Sequence, residues 1–484
     1  MLRTFALVAL VVCSASAQGS IQAQLEQALQ PVLESMAEKY SCAVGVGIKH
    51  VDADSSKNLD VQLAAGVADR KAKRTAVKTE KFVWGSVTKV VTGTAVLRLA
   101  DQGVLTLEDS VPQHIDPFLA KMKAKDPSMD FASLKDLWGD EVEKITVRDL
   151  LGMTSGVPDY DTASPTGREP TDSFRADAYA HPTKSYSPTQ LLSVPWVRTN
   201  KLIFTPGVCD RQKYGNCYSS TNYVLLGLLL ANHAGASSWE TYDQHASIKG
   251  AEADFHNMTF AVTGAPDQWT TMRGYDTTSY NNNTGSIDVS AVAGVFGGWT
   301  ASDLVMDALD VANLAHDVYG PEYKLVSKKY VDQMYASSTA TGYGLSTFNL
   351  TRLTGLHGDE GVAYGHLGAT YGYQSVLVHT PGLNLSFGVG TNIERDHQDQ
   401  PQDVFCSVYG TVKAVLQGKP TPTCAFTPGY YDAGCKCTEP GAPTPAPGPS
   451  PSGGYRCYNF HGRKTCYPSR TGTMSKDDCS ASCK

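Results

Sequence analysis

This 484-residue chain lacks metal-type cysteine spacing, internal repeats, heptads and any long apolar run beyond its first twenty residues. Each absence excludes something. Cys435-Lys436-Cys437 and Cys479…Cys483 lack the paired C-x2-C spacing and nearby histidines of a zinc site, so neither a metal nor a cofactor is expected. Without repeats or heptads the chain is not a solenoid or a coiled coil. The run VLLGLLLA (224–231) is too short to cross a bilayer and fits a buried helix, so no membrane span is expected. Positive charge is also short. Lys and Arg total 41 against 48 Asp and Glu, a net charge of −7, which argues against nucleic acid as a partner.

What is present describes a globular protein. Hydrophobic residues make up 41% and charged residues 18%, enough apolar material for a large core. At the N-terminus Arg3 precedes the apolar FALVALVV, and Ala15-Ser16-Ala17 forms an A-x-A site; residues 1–17 read as a signal peptide and the protein as secreted. Cys13 would leave with the signal. The eleven remaining cysteines (42, 209, 217, 406, 424, 435, 437, 457, 466, 479 and 483) are expected to be mostly paired, with one left over. Sequons at Asn257, Asn282, Asn349 and Asn384 permit glycosylation.

The spacing predicts a helix over 22–40, strands over 42–50 and 61–69, and a short stretch 82–84 leading into another helix. From about 105 to 340 helices and loops dominate, with 121–144 and 160–200 reading as polar surface excursions. Strands return at 344–349, 373–380 and 385–391, and a helix over 402–416 closes the segment. Strands at both ends with helices between predict an α+β fold. Its antiparallel sheet is built from both chain ends and flanked by helices, with a mostly helical lobe inserted. Beyond Cys437 the composition changes to a Pro/Gly linker (438–454) and a four-cysteine segment (455–484) too short to build a core. The expected organisation is a signal peptide (1–17), a catalytic domain (18–437), the linker and a small disulfide-rich module. Tyr455, Tyr458, Phe460 and Tyr467 beside Arg456, Arg463 and Lys464 suit a polysaccharide or surface contact, or a dispensable tail.

Ser86-Val87-Thr88-Lys89 lies in the apolar run FVWGSVTKVVTGTAVLRLADQG. On a helix, residues i and i+3 share a face, so Lys89 would come round beneath Ser86. Buried among Val90, Val91, Ala95 and Leu97, its amine would resist unpaired charge and could serve as a base or an electrostatic partner. Ser86 at a helix start would also offer its own N–H to a reacting oxygen. Alone, the tetrapeptide equally describes an amphipathic helix. Three other stretches bear on it. Tyr218-Ser219-Ser220 precedes an apolar helix, and a tyrosine near a lysine could become phenolate-like. His366-Leu367-Gly368 would run along an edge strand where glycine lets substrate approach the backbone. ITVRDLLGMTSGVPDY (145–160) reads as a connector without chemistry of its own.

Taken in order, these motifs resemble the serine β-lactamase and penicillin-binding-protein superfamily in its class C-like branch, which includes D-amino-acid peptidases, carboxypeptidases and esterases. SVTK matches the S-x-x-K element, YSS at 218–220 the Y-x-N element after Pro206-Gly207, and HLG at 366–368 the K-T-G or H-x-G strand. DLLGMTSG is similar to the family's LL-x-HTSG, and VAGVFGGWTASDLVMDAL (292–309) to its Gly-rich segment. The resemblance covers roughly 21–417. It implies a β-lactamase/transpeptidase-like fold and an acyl-enzyme on Ser86, with Lys89 and Tyr218 sharing the proton work and either one as base. The backbone N–H groups of Ser86 and Ala369 would form the oxyanion hole, and Ser220, His366, Leu367 and Gly368 would contact a peptide or other small substrate.

The sequence also departs from the family. Ser220 replaces an asparagine whose amide grips the substrate, while Asn222 should point elsewhere. Met153 replaces a histidine, as a packing change. His366 stands in the place of a lysine, so its positive field would be partial and pH-dependent. The excess at 121–144 and 160–200 is expected to roof the site, and a Cys209–Cys217 disulfide would hold Tyr218. The expected activity is a serine hydrolase acting on a peptide, amide or ester; the alternatives are a silent binding protein and a true β-lactamase.

Overall fold

The computed structural model describes residues 20–426 apart from 53, 55–56, 162–173, 210–216, 279–285, 396–397, 422–423 and 425, together with the strands 455–460 and 463–468. The first seventeen residues and the linker lie outside the described residues.

The centre is a seven-stranded antiparallel sheet. Its order is Tyr343–Gly344, Thr347–Asn349, Tyr364–Thr370, Tyr373–Thr380, Leu385–Thr391, Val44–His50 and Leu59–Ala65, so the two chain ends meet inside it. The VGVGI alternation of the strand at 44–50 explains how both faces are covered. Val44, Val46 and Ile48 point into a core shared with Val389 and Phe387. The helices Ile21–Tyr40 and Asp399–Gln417 close that core with Leu25, Leu29, Leu33, Phe405 and Tyr409. On the opposite face Gly47 pairs with Gly388, and a Cβ at Gly47 would meet the Ala308 carbonyl oxygen at 2.0 Å. The missing side chains let the helix Ala308–Tyr319 lie directly on the strands.

The helical lobe is inserted between the two ends, and its core surrounds the helices Thr88–Asp101 and Thr221–His233. The α+β architecture with a sheet from both termini is as expected, and no helix among the described residues is long and apolar enough to cross a membrane. The expected strand at 344–349 is two short strands, Tyr343–Gly344 and Thr347–Asn349.

The reading of 121–144 and 160–200 as surface excursions is corrected. Phe131, Leu134, Leu137, Trp138 and Val142 are buried, as are Phe174, Ala178, Leu191, Leu192 and Val197. The two segments pack on each other: the Trp138 indole donates to the Val197 carbonyl at 2.7 Å. Their apolar residues are scattered among polar ones without a helical or strand period, which hides burial from the sequence.

Among the described residues there are two disulfides, Cys209–Cys217 and Cys406–Cys424, and Cys42 is buried and free. The first is the pairing the sequence suggested. At the C-terminus the strands Tyr455–Phe460 and Arg463–Pro468 form an antiparallel hairpin in which Cys457 and Cys466 are register partners.

Candidate active site

The nucleophile segment is locked from both sides. The strand Lys81–Val83 pairs with Leu304–Asp307, and the Trp84 indole donates to the Met306 carbonyl at 2.7 Å. Gly85 then turns at φ +52°, where a side chain is strained, and opens a single 3-10 turn carrying Ser86. The Thr88 hydroxyl donates to the Gly85 carbonyl at 2.7 Å and accepts the Leu304 N–H at 3.0 Å, fixing the start of the helix.

One turn on, Lys89 lies under Ser86 as the spacing predicted. Its Nζ donates to Ser86 Oγ at 2.9 Å and to the Ala301 carbonyl at 3.0 Å. The side chain is fully buried, over the rings of Tyr218 at 5.2 Å and Tyr223 at 5.6 Å. Burial pushes its amine down to about 7, against an upward pull from the carboxylates of Asp159 and Asp161. Near neutral pH, a good fraction of Lys89 is therefore a free amine. Tyr218 behaves differently. It shares a hydrogen bond with Ser86, but burial raises its hydroxyl well above the ordinary value. The expected phenolate-like tyrosine is corrected: desolvation outweighs the nearby lysine, and Tyr218 is a neutral phenol.

His366 is also corrected in character. It is fully buried, donor or acceptor to the Tyr343 hydroxyl through Nε2 at 3.1 Å, and burial beside Lys89 holds it down at about 3. It is neutral across the physiological range and supplies no positive field. The strand pleat places Leu367 on the other side, against the second core. Gly368 is a packing glycine: a Cβ there would meet the Trp84 carbonyl oxygen at 2.1 Å. Beyond Gly365 the Tyr364–Thr370 strand has no partner at 347–349, so 366–370 is an edge only in that half. The residues that reach the cleft come just after HLG: Ala369, Thr370 and Tyr371. Ala369 lies so close to Gly85 that a Cβ at Gly85 would stand 2.7 Å from its carbonyl carbon.

The cleft is narrow: the space between its walls, open solvent included, comes to about 280 Å³. Besides Ser86 and Ala369 its walls include Ser220, Tyr160, Asp161, Phe174 and Tyr371, with Gly294, Val295 and Gly298 beneath. Phe174 comes from the 160–200 segment, which thus forms part of the wall. Its ring stands 5.3 Å from Tyr160 and 6.4 Å from Tyr371, centre to centre. Asn222 points away from the cleft, as expected. Its Oδ1 accepts from Ser155 Oγ at 2.5 Å, and its Nδ2 donates to Met153 Sδ at 3.3 Å. Met153 therefore fills the histidine position as an acceptor within the packing.

The sequence reading missed Asp159, Tyr160 and Asp161. The connector 145–160, read as having no chemistry, ends in Asp159 and Tyr160 with Asp161 next, and the two carboxylates bear on Lys89. Asp159 is buried and accepts the Ser220 N–H at 3.0 Å, and Tyr371 donates to Asp161 Oδ1 at 2.8 Å. Two acidic residues beside a tyrosine immediately after TSGVP were the available signal. Among the described residues no group of three or more His, Cys, Asp or Glu could hold a metal ion.

Comparison with known proteins agrees with this geometry. Protein flp of Staphylococcus aureus (strain NCTC 8325 / PS 47) is 29% identical over 164 residues, which is 34% of this chain and 25% of flp, so the match spans a quarter of that relative. Among solved structures, D-stereospecific amidohydrolase from Streptomyces sp. superposes with a TM-score of 0.56 at 20% identity, covering 81% of this chain and 99% of its own. D-amino acid amidase from Ochrobactrum anthropi SV3 gives 0.58 at 16% identity, covering 82% and 99%. The penicillin-binding protein homologue from Pyrococcus abyssi gives 0.56 at 18% identity, covering 83% and 78%. These likenesses establish the fold. The Beta-lactamase family profile matches residues 56–404, most of the chain and all of the site just described. The chain belongs to the β-lactamase family.

Proposed function

We propose that this protein hydrolyses a small amide, peptide or ester through an acyl-enzyme on Ser86. The observation that carries the reading is the 2.9 Å contact between Ser86 Oγ and a buried Lys89 whose amine is held near 7. The neutral amine takes the Ser86 proton as Oγ bonds to the substrate carbonyl carbon. The oxyanion faces the backbone N–H groups of Ser86 and Ala369, a type of donor worth about 3 kcal/mol each to the transition state. Collapse breaks the bond to the leaving nitrogen or oxygen, which receives its proton through the Tyr218 hydroxyl. Water then repeats the sequence on the ester and frees Ser86. In this scheme Lys89 is the base and Tyr218, a neutral phenol, the relay.

The D-amino-acid amidase and amidohydrolase names of the similar structures support an amide of a D-amino acid as substrate. A true β-lactamase role is disfavoured, because the neutral His366 leaves a β-lactam carboxylate without a cation where the family places one. The test is a fluorophosphonate probe followed by a panel of D- and L-amino-acid amides, short esters and nitrocefin. Labelling of Ser86, its loss in Ser86→Ala, and turnover of amides above nitrocefin are expected. A folded protein that takes no label at Ser86 ends the reading.

The same reading takes residues 1–17 as a secretion signal, 18–437 as the catalytic domain, 438–454 as a linker and 455–484 as a module contacting a surface or polysaccharide. The two disulfides support an oxidising destination. Because Cys424 is tied to Cys406, the informative truncation falls after Cys437. The shortened protein is expected to keep its melting temperature and its turnover of small substrates, and to lose retention on insoluble polysaccharide.

A further inference from the structure

We propose that Asp161 is a specificity-determining residue that recognises a free ammonium group on the acyl part of the substrate, so that the enzyme acts on N-terminally unblocked aminoacyl compounds. This rests on the acyl-transfer reading and narrows its substrate class.

The first observation is position. Asp161 lines the same small cleft as Ser86, Ser220 and Ala369. That cleft runs from the nucleophile toward Ala369–Tyr371. His366 and Tyr343 are buried and do not line it. Because the cleft joins Ser86 to Ala369, a group held in it stands close to the carbonyl that Ser86 attacks, and the proposal places it on the acyl half of the substrate.

The second observation is charge. Among the described residues lining the cleft there is no lysine, arginine or histidine, and Asp161 is the one carboxylate. Among the described residues, Arg175 near the cleft is committed elsewhere. Arg175 bonds Asp276 at 2.7 Å and Glu394 at 2.7 Å, and its guanidinium stacks on the Tyr371 ring at 4.5 Å. Lys89 lies fully buried behind Ser86. Among the described residues of the cleft an anionic acyl substituent would meet Asp161 with no compensating charge, while an ammonium would meet a carboxylate.

The third observation is the character of the walls. Tyr160, Phe174 and Tyr371 put three rings around that carboxylate. Aromatic faces attract cations, and a low-polarity surround strengthens a charge-assisted hydrogen bond. Tyr371 donates to Asp161 Oδ1 at 2.8 Å and so orients the carboxylate. A carboxylate has about four acceptor sites, so this bond leaves capacity for an ammonium. The narrowness of the cleft favours an amine on the α-carbon over one at the end of a long side chain.

The consequence is a peptidase or amidase that works from an unblocked amino end, and not one that grips a C-terminal carboxylate. The test uses the full chain and aminoacyl p-nitroanilides of phenylalanine, D and L, with the amine free, acetylated or succinylated. The expected order of kcat/KM is free, then acetylated, then succinylated, with at least about a tenfold step for loss of a hydrogen bond to a charged group. In Asp161→Asn the ratio of free-amine to acetylated kcat/KM should fall by about ten- to a hundredfold. Fluorophosphonate labelling of Ser86 runs alongside. Labelling together with equal rates on free and succinylated substrates in the wild-type protein overturns this proposal and leaves acyl transfer standing. No labelling removes the acyl-transfer reading, and this proposal with it. An unchanged ratio in a labelled Asp161→Asn protein also overturns it.

Discussion

The ionisation of Lys89 can be moved without touching Lys89. Asp159 is buried, and its Oδ1 accepts the N–H groups of Ser220 at 3.0 Å and Asp161 at 3.3 Å. An asparagine keeps that oxygen and removes the charge, so Asp159→Asn should preserve the loop while changing the field. The Asp159 carboxylate is the larger of two upward pulls that partly offset burial and leave the lysine at about 7. Removing an anion that favours the protonated amine lowers the pKa further. One opposite charge close by is worth about 1–3 units, and because Asp161 remains, the low end applies: about one unit, or about 1.4 kcal/mol. The assay is kcat/KM against pH on a substrate whose own charge does not change between pH 5 and 9, such as an acetylated amide. The wild-type acid limb should have its midpoint near 7, where the required free amine is half formed. In Asp159→Asn that limb should move about one unit toward acid. The alkaline plateau should fall modestly, since a weaker base transfers the proton less readily. A limb that stays in place, or moves toward alkali, would refute Lys89 as the titrating base.

Three further perturbations test other parts of the argument. Gly85→Ala places a Cβ 2.7 Å from the Ala369 carbonyl at φ +52°; about 1–2 kcal/mol of stability and about a hundredfold in kcat should be lost, and an unchanged kcat would mean that Ala369 is no oxyanion donor. Arg175→Met leaves Asp276 and Glu394 buried without their cation, so calorimetry should show a loss of about 3–5 kcal/mol, and a neutral result would show that the network is not a paired one. Ser220→Asn restores a longer, two-donor side chain to the cleft wall and should raise acylation by amides more than by simple esters; equal effects would show that the serine suits a different substrate.

The nucleophile was legible because its geometry is local. Ser86 and Lys89 are three residues apart where a 3-10 turn runs into a helix, and that spacing puts them on one face, with Nζ 2.9 Å from Oγ. The sheet from both chain ends was legible because alternation at 44–50 and 385–391 is strong. Charge states were not, since they depend on burial from elsewhere in the chain. His366 looks titratable as a letter, yet its ring is enclosed beside Lys89 and pushed down to about 3. Tyr218 looked activated by its lysine, but the same enclosure that lowers the amine raises the phenol. Asp159 and Asp161 were passed over because nothing local ties residues 159–161 to residue 89; the fold alone brings them together.

The arrangement separates chemistry from selectivity by the kind of backbone that carries each. Ser86 and Lys89 sit at a helix start held by Trp84, Thr88 and the Leu304–Asp307 strand, and Ala369 sits on a sheet strand packed against Gly85. Such positions cannot shift without breaking buried hydrogen bonds. Tyr160 and Asp161 lie outside the helices and strands, and Phe174 opens the short helix Phe174–Ala180, so the walls of the cleft are carried apart from the nucleophile's frame. Yet Asp161 reaches both functions: it faces the substrate across the cleft and bears electrostatically on Lys89. A bound ammonium would offset part of that carboxylate's field, weaken its upward pull, and favour the free amine that attack requires. Substrate charge and base ionisation are therefore coupled through one residue. A cationic substrate should shift the acid limb of kcat toward lower pH than an acetylated one does, and that difference should vanish in Asp161→Asn.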